Sequence, residues 1–322
     1  MIVGQILKNN ILKIIDIAKL APSVHNVQPW KVRVSGDTVI ILIDKSNKLT
    51  YGDPTGRESF ISLGIFSETL ILAAKRFGLD VEKLTIKNKQ AQITFKKSQN
   101  KTSKDEYENF IKSRSTDRSI YKKIDINKKT IDSITNIGST KKVKVWAIVD
   151  NEKINMIAEL TSKGISLALT SPDFRRELSG LLILPWSNKQ RGIPVKSLKI
   201  PWYIETLEPV LIKLGLGLKS EARLEKTRWQ SASAVIFITT QGDMQEDWLL
   251  AGRTYLTVSI LIEKAGLSQA TSAALVEAST FHEDIEKMLK TKQRIQCVLR
   301  IGRGSSKKVY SPRVPAEQLI ST

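Results

Sequence analysis

Leu20-Ala-Pro-Ser-Val-His-Asn-Val-Gln-Pro-Trp30 follows a segment of helical periodicity and precedes one of strand periodicity. Between two apolar elements it concentrates Pro22, Ser23, His25, Asn26, Gln28 and Trp30. The amides of Asn26 and Gln28 can both donate and accept, and a serine with free backbone N–H groups in a turn can serve a phosphate or a chain of hydroxyls. The same composition also suits a polar turn in which Ser and Asn satisfy their own backbone.

Upstream of this loop, Leu7, Ile11, Ile14, Ile15 and Ala18 recur at helical spacing and predict a helix over about 5–20, stopped by Pro22. Downstream, 31–34 and 39–43 read as a hairpin turned at Ser35-Gly36-Asp37. Thr55-Gly-Arg-Glu58 has the form of a capping box, opening a helix that carries Ile61, Ile65, Leu72 and Ala73 inward and ends at Gly78. Strands are expected near 82–87 and 91–96. The polar stretch 97–104 then serves as the connector between halves.

The second half opens with a short helix and Arg114-Ser-Thr-Asp-Arg118. In extended backbone, Arg114, Thr116 and Arg118 point to one side, which can gather two guanidiniums and a hydroxyl around a dianionic phosphate. A solvated basic turn is the alternative. A helix near 127–136, a strand at 143–149 and a helix from 151 come next. Residues 171–230 alternate apolar patches with prolines and read as a long irregular segment of the lid or binding-loop kind. A strand at 234–239, a helix over 246–265 ended by Gly266, and a strand at 295–301 close the pattern. Both long helices end in Gly-Leu, which hints at a degenerate repeat.

The 322 residues suffice for about two domains, and no uninterrupted apolar run approaches the roughly 18 residues of a membrane span. The N-terminal segment lacks the pattern of a signal peptide, so a cytoplasmic protein without a membrane partner is expected. With 51 basic and 32 acidic residues the net charge is +19. Most of the basic residues are scattered lysines, which suits a solvated surface. A basic entrance for a phosphorylated cofactor or salt-dependent nucleic-acid binding would also use the charge.

The single Cys297 lies in an apolar run and excludes an intrachain disulfide framework. Two histidines without a second cysteine build no zinc site. The glycine-rich stretch 300–308 lacks phosphate-loop spacing, and Gly215-Leu-Gly217 lacks the dinucleotide fingerprint. Arg313, held between prolines, is the better phosphate ligand. No nucleophile and no acid–base constellation stands out, which suits a cofactor that carries its own chemistry.

These motifs together resemble the FMN-dependent nitroreductase superfamily, and its Acg-type branch in which one chain holds two nitroreductase-like halves. The resemblance implies an α+β fold: two mixed, largely antiparallel sheets flanked by helices and forming an internal pseudodimer. The halves would be 1–104 and 105–322, with a lid insertion near 171–230. It implies one FMN per chain, with NADH or NADPH as electron donor and an unidentified acceptor. The implied cofactor-binding residues are Pro22, Ser23, Val24, His25, Asn26 and Gln28 from the first half, and Arg114, Ser115, Thr116, Arg118, Thr271, Ser272 and Arg313 from the second. No catalytic side chain and no metal ligand is assigned. A lid closed over the flavin would instead make the chain a flavin-sequestering protein. A basic nucleic-acid-binding protein is the third reading.

Overall fold

The computed structural model describes residues 2–87, 89–99, 106–137, 139–278 and 280–321, with the side chain of Glu106 outside the description. The expected connector at 97–104 therefore lies largely outside the described residues. Periodic apolar residues place α1 at Ile2–Ala18, burying Leu7, Ile14, Ile15 and Ile17 on one face. The hairpin β1 (Trp30–Ser35) and β2 (Thr38–Ile43) follows, then α2 (Arg57–Lys75), β3 (Leu79–Lys87) and β4 (Gln90–Lys97). These strands form an antiparallel sheet ordered β1-β2-β4-β3.

The start of α2 departs from the expected capping box. Asp53, not Thr55, accepts from the N–H groups of Glu58 and Ser59 and from the Ser59 hydroxyl. The carboxylate can satisfy several orphan donors of the first turn at once, where the Thr55 hydroxyl accepts only from Arg57 N. Glu58 is thereby released for other work.

After α3 (Glu106–Ser113) and α4 (Lys128–Asn136), the second half repeats the plan. Its elements are β5 (Val143–Ile148), α5 (Asn151–Thr170), β8 (Ala234–Thr240), α10 (Gln245–Lys264), β9 (Ser268–Thr271), the short α11 (Ala274–Glu277) and α12 (Phe281–Met288), and β10 (Arg294–Gly302). The antiparallel sheet is ordered β5-β8-β10-β9. β8 is buried along its whole length, because α10 covers one face of this sheet and α5, α11 and α12 cover the other.

Between α5 and β8 the sequence predicted irregular chain. The structure instead holds α6 (Pro172–Leu181), the two-residue β6 (Leu182–Ile183) and β7 (Ile193–Pro194), α7 (Trp202–Glu205), α8 (Glu208–Leu214) and α9 (Leu218–Gln230). The prolines that read as breakers are partly helix starters: Pro172 and Pro209 sit in first turns, where the missing N–H costs nothing. This segment has a small core of its own, formed by Leu182, Ile193, Val195 and Ile212.

The two halves meet where α2 crosses α10. A Cβ on Gly64 would stand 2.1 Å from the Leu249 carbonyl oxygen, and one on Gly252 would stand 2.0 Å from that of Ile61. Only glycine permits backbones this close. The chain then returns to the first sheet: α13 (Ala316–Leu319) packs on α1, Ile320 bridges Val32 in parallel, and Ser321 N donates to Val32 O at 2.7 Å. The architecture is α+β, two four-stranded antiparallel sheets flanked by helices. Among the described residues no helix is long and apolar enough to cross a membrane.

Candidate functional site

A cavity of about 690 Å³ lies between the halves. Twelve of the thirteen residues singled out from the sequence line it: Pro22, Ser23, Val24, His25, Asn26, Arg114, Ser115, Thr116, Arg118, Thr271, Ser272 and Arg313. Gln28 lies behind the wall.

The loop after α1 is held in unusual backbone. His25, Asn26 and Gln28 have φ of 44°, 57° and 50°, left-handed values that cost non-glycine residues free energy and persist only where surroundings enforce them. Those surroundings are visible. Gln28 Nε2 donates to Gln190 O at 2.7 Å, and its Oε1 accepts from Val314 N at 2.9 Å. Asn26 Nδ2 donates to Gly192 O and Pro312 O, and its Oδ1 accepts from Arg313 Nη1 at 2.7 Å. Asn26 is thus a clasp joining its loop to Gly192 before β7 and to the C-terminal arm, with its side-chain polar atoms already engaged. Ser62 Oγ receives Val24 N from the opposite side. Burial and the charge of Arg118 lower the pKa of His25 to about 4, so the imidazole is neutral at physiological pH.

The Arg114–Arg118 segment runs along the outer edge of the second sheet, where Thr116 bridges Gln269 and Asp117 N donates to Gln269 O. Asp117 fixes its far end by accepting from Ser119 N and Ser305 N. The two guanidiniums enter different surroundings. Arg114 is buried near Tyr255, Glu263 and Tyr310, and burial pushes its pKa down. Its Nη1 is buried with no hydrogen-bond partner. Arg118 donates to Ser197 Oγ at 3.2 Å and lies among Glu225, Arg228 and Arg300. Arg313 is lowered to about 9 by burial and by Arg114, and its Nε also lacks a partner. Arg114 and Arg313 therefore form a compact positive end with unspent donors. A buried cation left unpaired is costly, so the wall around Arg114 favours an anion. Thr271 spends its hydroxyl proton on Val298 O.

The cavity also holds an assembly that sequence reading missed. Arg57 Nε pairs with Glu277 at 2.7 Å, Nη2 with Glu58 at 2.9 Å, and Nη1 donates to Gln296 O and Oε1. Burial, Glu277 and Asp53 outweigh Arg57 and raise the Glu58 pKa to about 7. A carboxyl that titrates near neutrality on a cavity wall can hold or release a proton at working pH. Cys297 lies beside this group on β10, and burial pushes its thiol far up, away from reactivity. The one signal available in the sequence was Arg57, a charged residue on a helix whose other positions are nearly all apolar or small.

A third set comes from the segment between α5 and β8. Phe174, Leu178, Ser197, Glu208, Ile212, Glu221 and Glu225 complete the cavity wall. Burial raises the pKa values of both Glu208 and Glu221. Among the described residues no cluster of His, Cys, Asp and Glu is arranged to hold a metal ion.

No family model matches the chain. A curated protein of Mycobacterium tuberculosis, named provisionally as an NAD(P)H nitroreductase in strains CDC 1551 and H37Rv, is 32% identical over 65 residues. The match covers 20% of this chain and 19% of that protein, so the chain spans about a fifth of the length of the curated relatives it matches. Among solved structures, the FMN-dependent nitroreductase NfnB from Mycobacterium smegmatis in complex with NADPH aligns with a TM-score of 0.41 and 11% identity, over 66% of this chain and 95% of that one. A nitroreductase-like family protein from Bacillus cereus aligns at 0.40 and 12%, over 69% and 98%. At such scores nothing further rests on the structural likeness. Over this 65-residue segment the chain is similar to a protein named as an NAD(P)H nitroreductase.

Proposed function

We propose that this chain is a single-chain FMN-binding oxidoreductase that takes hydride from NADH or NADPH and passes it to a small acceptor. The observation that carries the reading is the pair Arg114 and Arg313. Both line the cavity, Arg114 buried and Arg313 half-buried, with the buried Nη1 of the one and Nε of the other unsatisfied. A terminal phosphate supplies the acceptors these donors lack, in the bidentate geometry guanidinium favours. The hydroxyls of Ser115 and Ser23 stand on the same cavity for the phosphate or ribityl chain, and Gln28 and Asn26 keep the loop in its left-handed form.

Bound FMN would supply the two-electron chemistry; the protein binds, orients and shields it. Glu58, poised near neutrality, would hold a proton at the opposite wall. The halves 1–104 and 105–322 form a pseudodimer with one flavin site between them, a reading supported by the paired four-stranded sheets and the glycine crossing of α2 and α10. The C-terminal arm is an exchange between halves, since 316–321 packs on the first sheet.

A second reading, flavin sequestration, is favoured by the lid: α6, α8 and α9 all contribute to the cavity wall and narrow the room for a nicotinamide. Anaerobic addition of NADPH to the flavin-loaded protein separates the two. Bleaching supports the oxidoreductase; persistence of the yellow colour until dithionite is added supports sequestration. A colourless protein that takes up no FMN overturns both.

A further inference from the structure

The outer face of the lid carries a feature that the cavity does not use. Trp202 is 80% exposed, Tyr203 61%, Leu207 55% and Leu214 63%, and Val210 and Leu216 are exposed as well. Leu207, Val210 and Leu214 fall at i, i+3 and i+7, one face of α8 and its N-terminal flank. Glu208 and Ile212 lie on the other face, buried and lining the cavity. The helix thus shows apolar side chains on the face turned away from the cavity, which a segment packed only against its own protein does not need. So many large apolar side chains exposed within one short segment mark an interaction site.

We propose that this face docks on the surface of an anionic lipid bilayer. The occupant follows from the charge. The run from Lys196 to Lys219 bears exposed Lys196, Lys213 and Lys219, with Glu208 turned inward and Glu205 half-buried. The whole chain carries +19. Aromatic and leucine side chains flanked by lysines suit the headgroup boundary, where Trp and Tyr place an apolar body and a polar tip. The contact is peripheral, since no described helix can cross a bilayer. It departs from the expectation of no membrane partner drawn from the sequence, which rested on the lack of a long apolar run. It is independent of the flavin reading. It also places the outer side of the cavity wall at the lipid surface, because α8 presents its two faces to cavity and bilayer.

The test is co-sedimentation of the full chain with vesicles of phosphatidylcholine alone and of phosphatidylcholine with phosphatidylglycerol. The proposal predicts binding to the anionic vesicles only. The triple variant Trp202→Ser, Leu207→Ser, Leu214→Ser should bind them at least about ten-fold more weakly. Each of Lys196→Glu, Lys213→Glu and Lys219→Glu should weaken binding by about five-fold or more. These positions are exposed, so an unchanged far-ultraviolet circular dichroism spectrum and thermal midpoint verify the fold. Lack of sedimentation with anionic vesicles overturns the proposal. So does a triple variant that sediments like the parent, which would assign the binding to diffuse charge. A parent that is dimeric by light scattering and bound to no vesicle, with a monomeric triple variant, overturns it in favour of contact between copies of this chain.

Discussion

Arg57 and Arg114 are both buried beside one cavity, yet they are treated in opposite ways. Arg57 is enclosed by Glu58, Glu277 and the Gln296 carbonyl and amide oxygens, and its pKa is raised. Arg114 has a buried Nη1 with no acceptor, and its pKa is lowered. Burying a cation without a partner costs several kcal/mol, and pairing it recovers much of that cost. One end of the cavity is electrostatically complete; the other is completed only by an anion. Such an imbalance distinguishes a structural arginine from a binding one more sharply than burial does.

The largest effect should come from emptying the open end. Replacing Arg114 and Arg313 with Gln removes two or three charge-assisted hydrogen bonds of roughly 1.5–3 kcal/mol each, so FMN affinity should fall by about a hundred- to a million-fold. A double variant that purifies with its full flavin would break the comparison at once. Next comes stability without ligand. Arg57→Met strands Glu58 and Glu277 and should cost about 3–5 kcal/mol. Arg114→Met strands nothing, so denaturation of the apoprotein should find it equal to or more stable than the parent. Equal losses in the two variants would mean that Arg114 is structurally paired after all.

A smaller effect is expected at the clasp. Asn26→Ala removes its bonds to Arg313 Nη1 and to the Gly192 and Pro312 carbonyls, and should cost about 1–3 kcal/mol in denaturant unfolding. The smallest is a pH effect. Glu58 binds a proton more tightly folded than unfolded, so its contribution declines as pH rises from about 4.5 to about 7 and is constant above. His25 acts in the opposite sense: held neutral to about 4, it loses stability as pH falls from 6.5. Glu58→Gln should lessen the decline above pH 4.5, to which Glu208 and Glu221 also contribute; a stability profile unchanged by that substitution would place Glu58 at its ordinary pKa.

The open end was legible in the sequence and the closed end was not. Pro22–Gln28 and Arg114–Arg118 are short runs dense in hydrogen-bonding groups, and each carries its meaning within a few residues. Alternation alone put Arg114 and Arg118 on one side; the structure gives them different neighbours, because Asp117 and Thr116 pin the segment to β9, a four-residue edge strand invisible to periodicity. The closed end joins Arg57 to Glu277 and Gln296 across the fold, and its local sequence reads as a capping box until Asp53 is seen to do the capping. The α2–α10 crossing rests on Gly64 and Gly252, two mid-helix glycines whose purpose appears only when the helices touch. The segment 171–230 read as irregular because apolar patches alternate with prolines in it, yet Pro172 and Pro209 occupy helix first turns.

The most direct test of the account is the absorption spectrum of the purified full chain, with FMN titrated into any colourless fraction. The account predicts a flavin spectrum at one FMN per chain, lost in the variant lacking both Arg114 and Arg313. A colourless parent that takes up no added FMN, or a variant that retains the flavin in full, would contradict it.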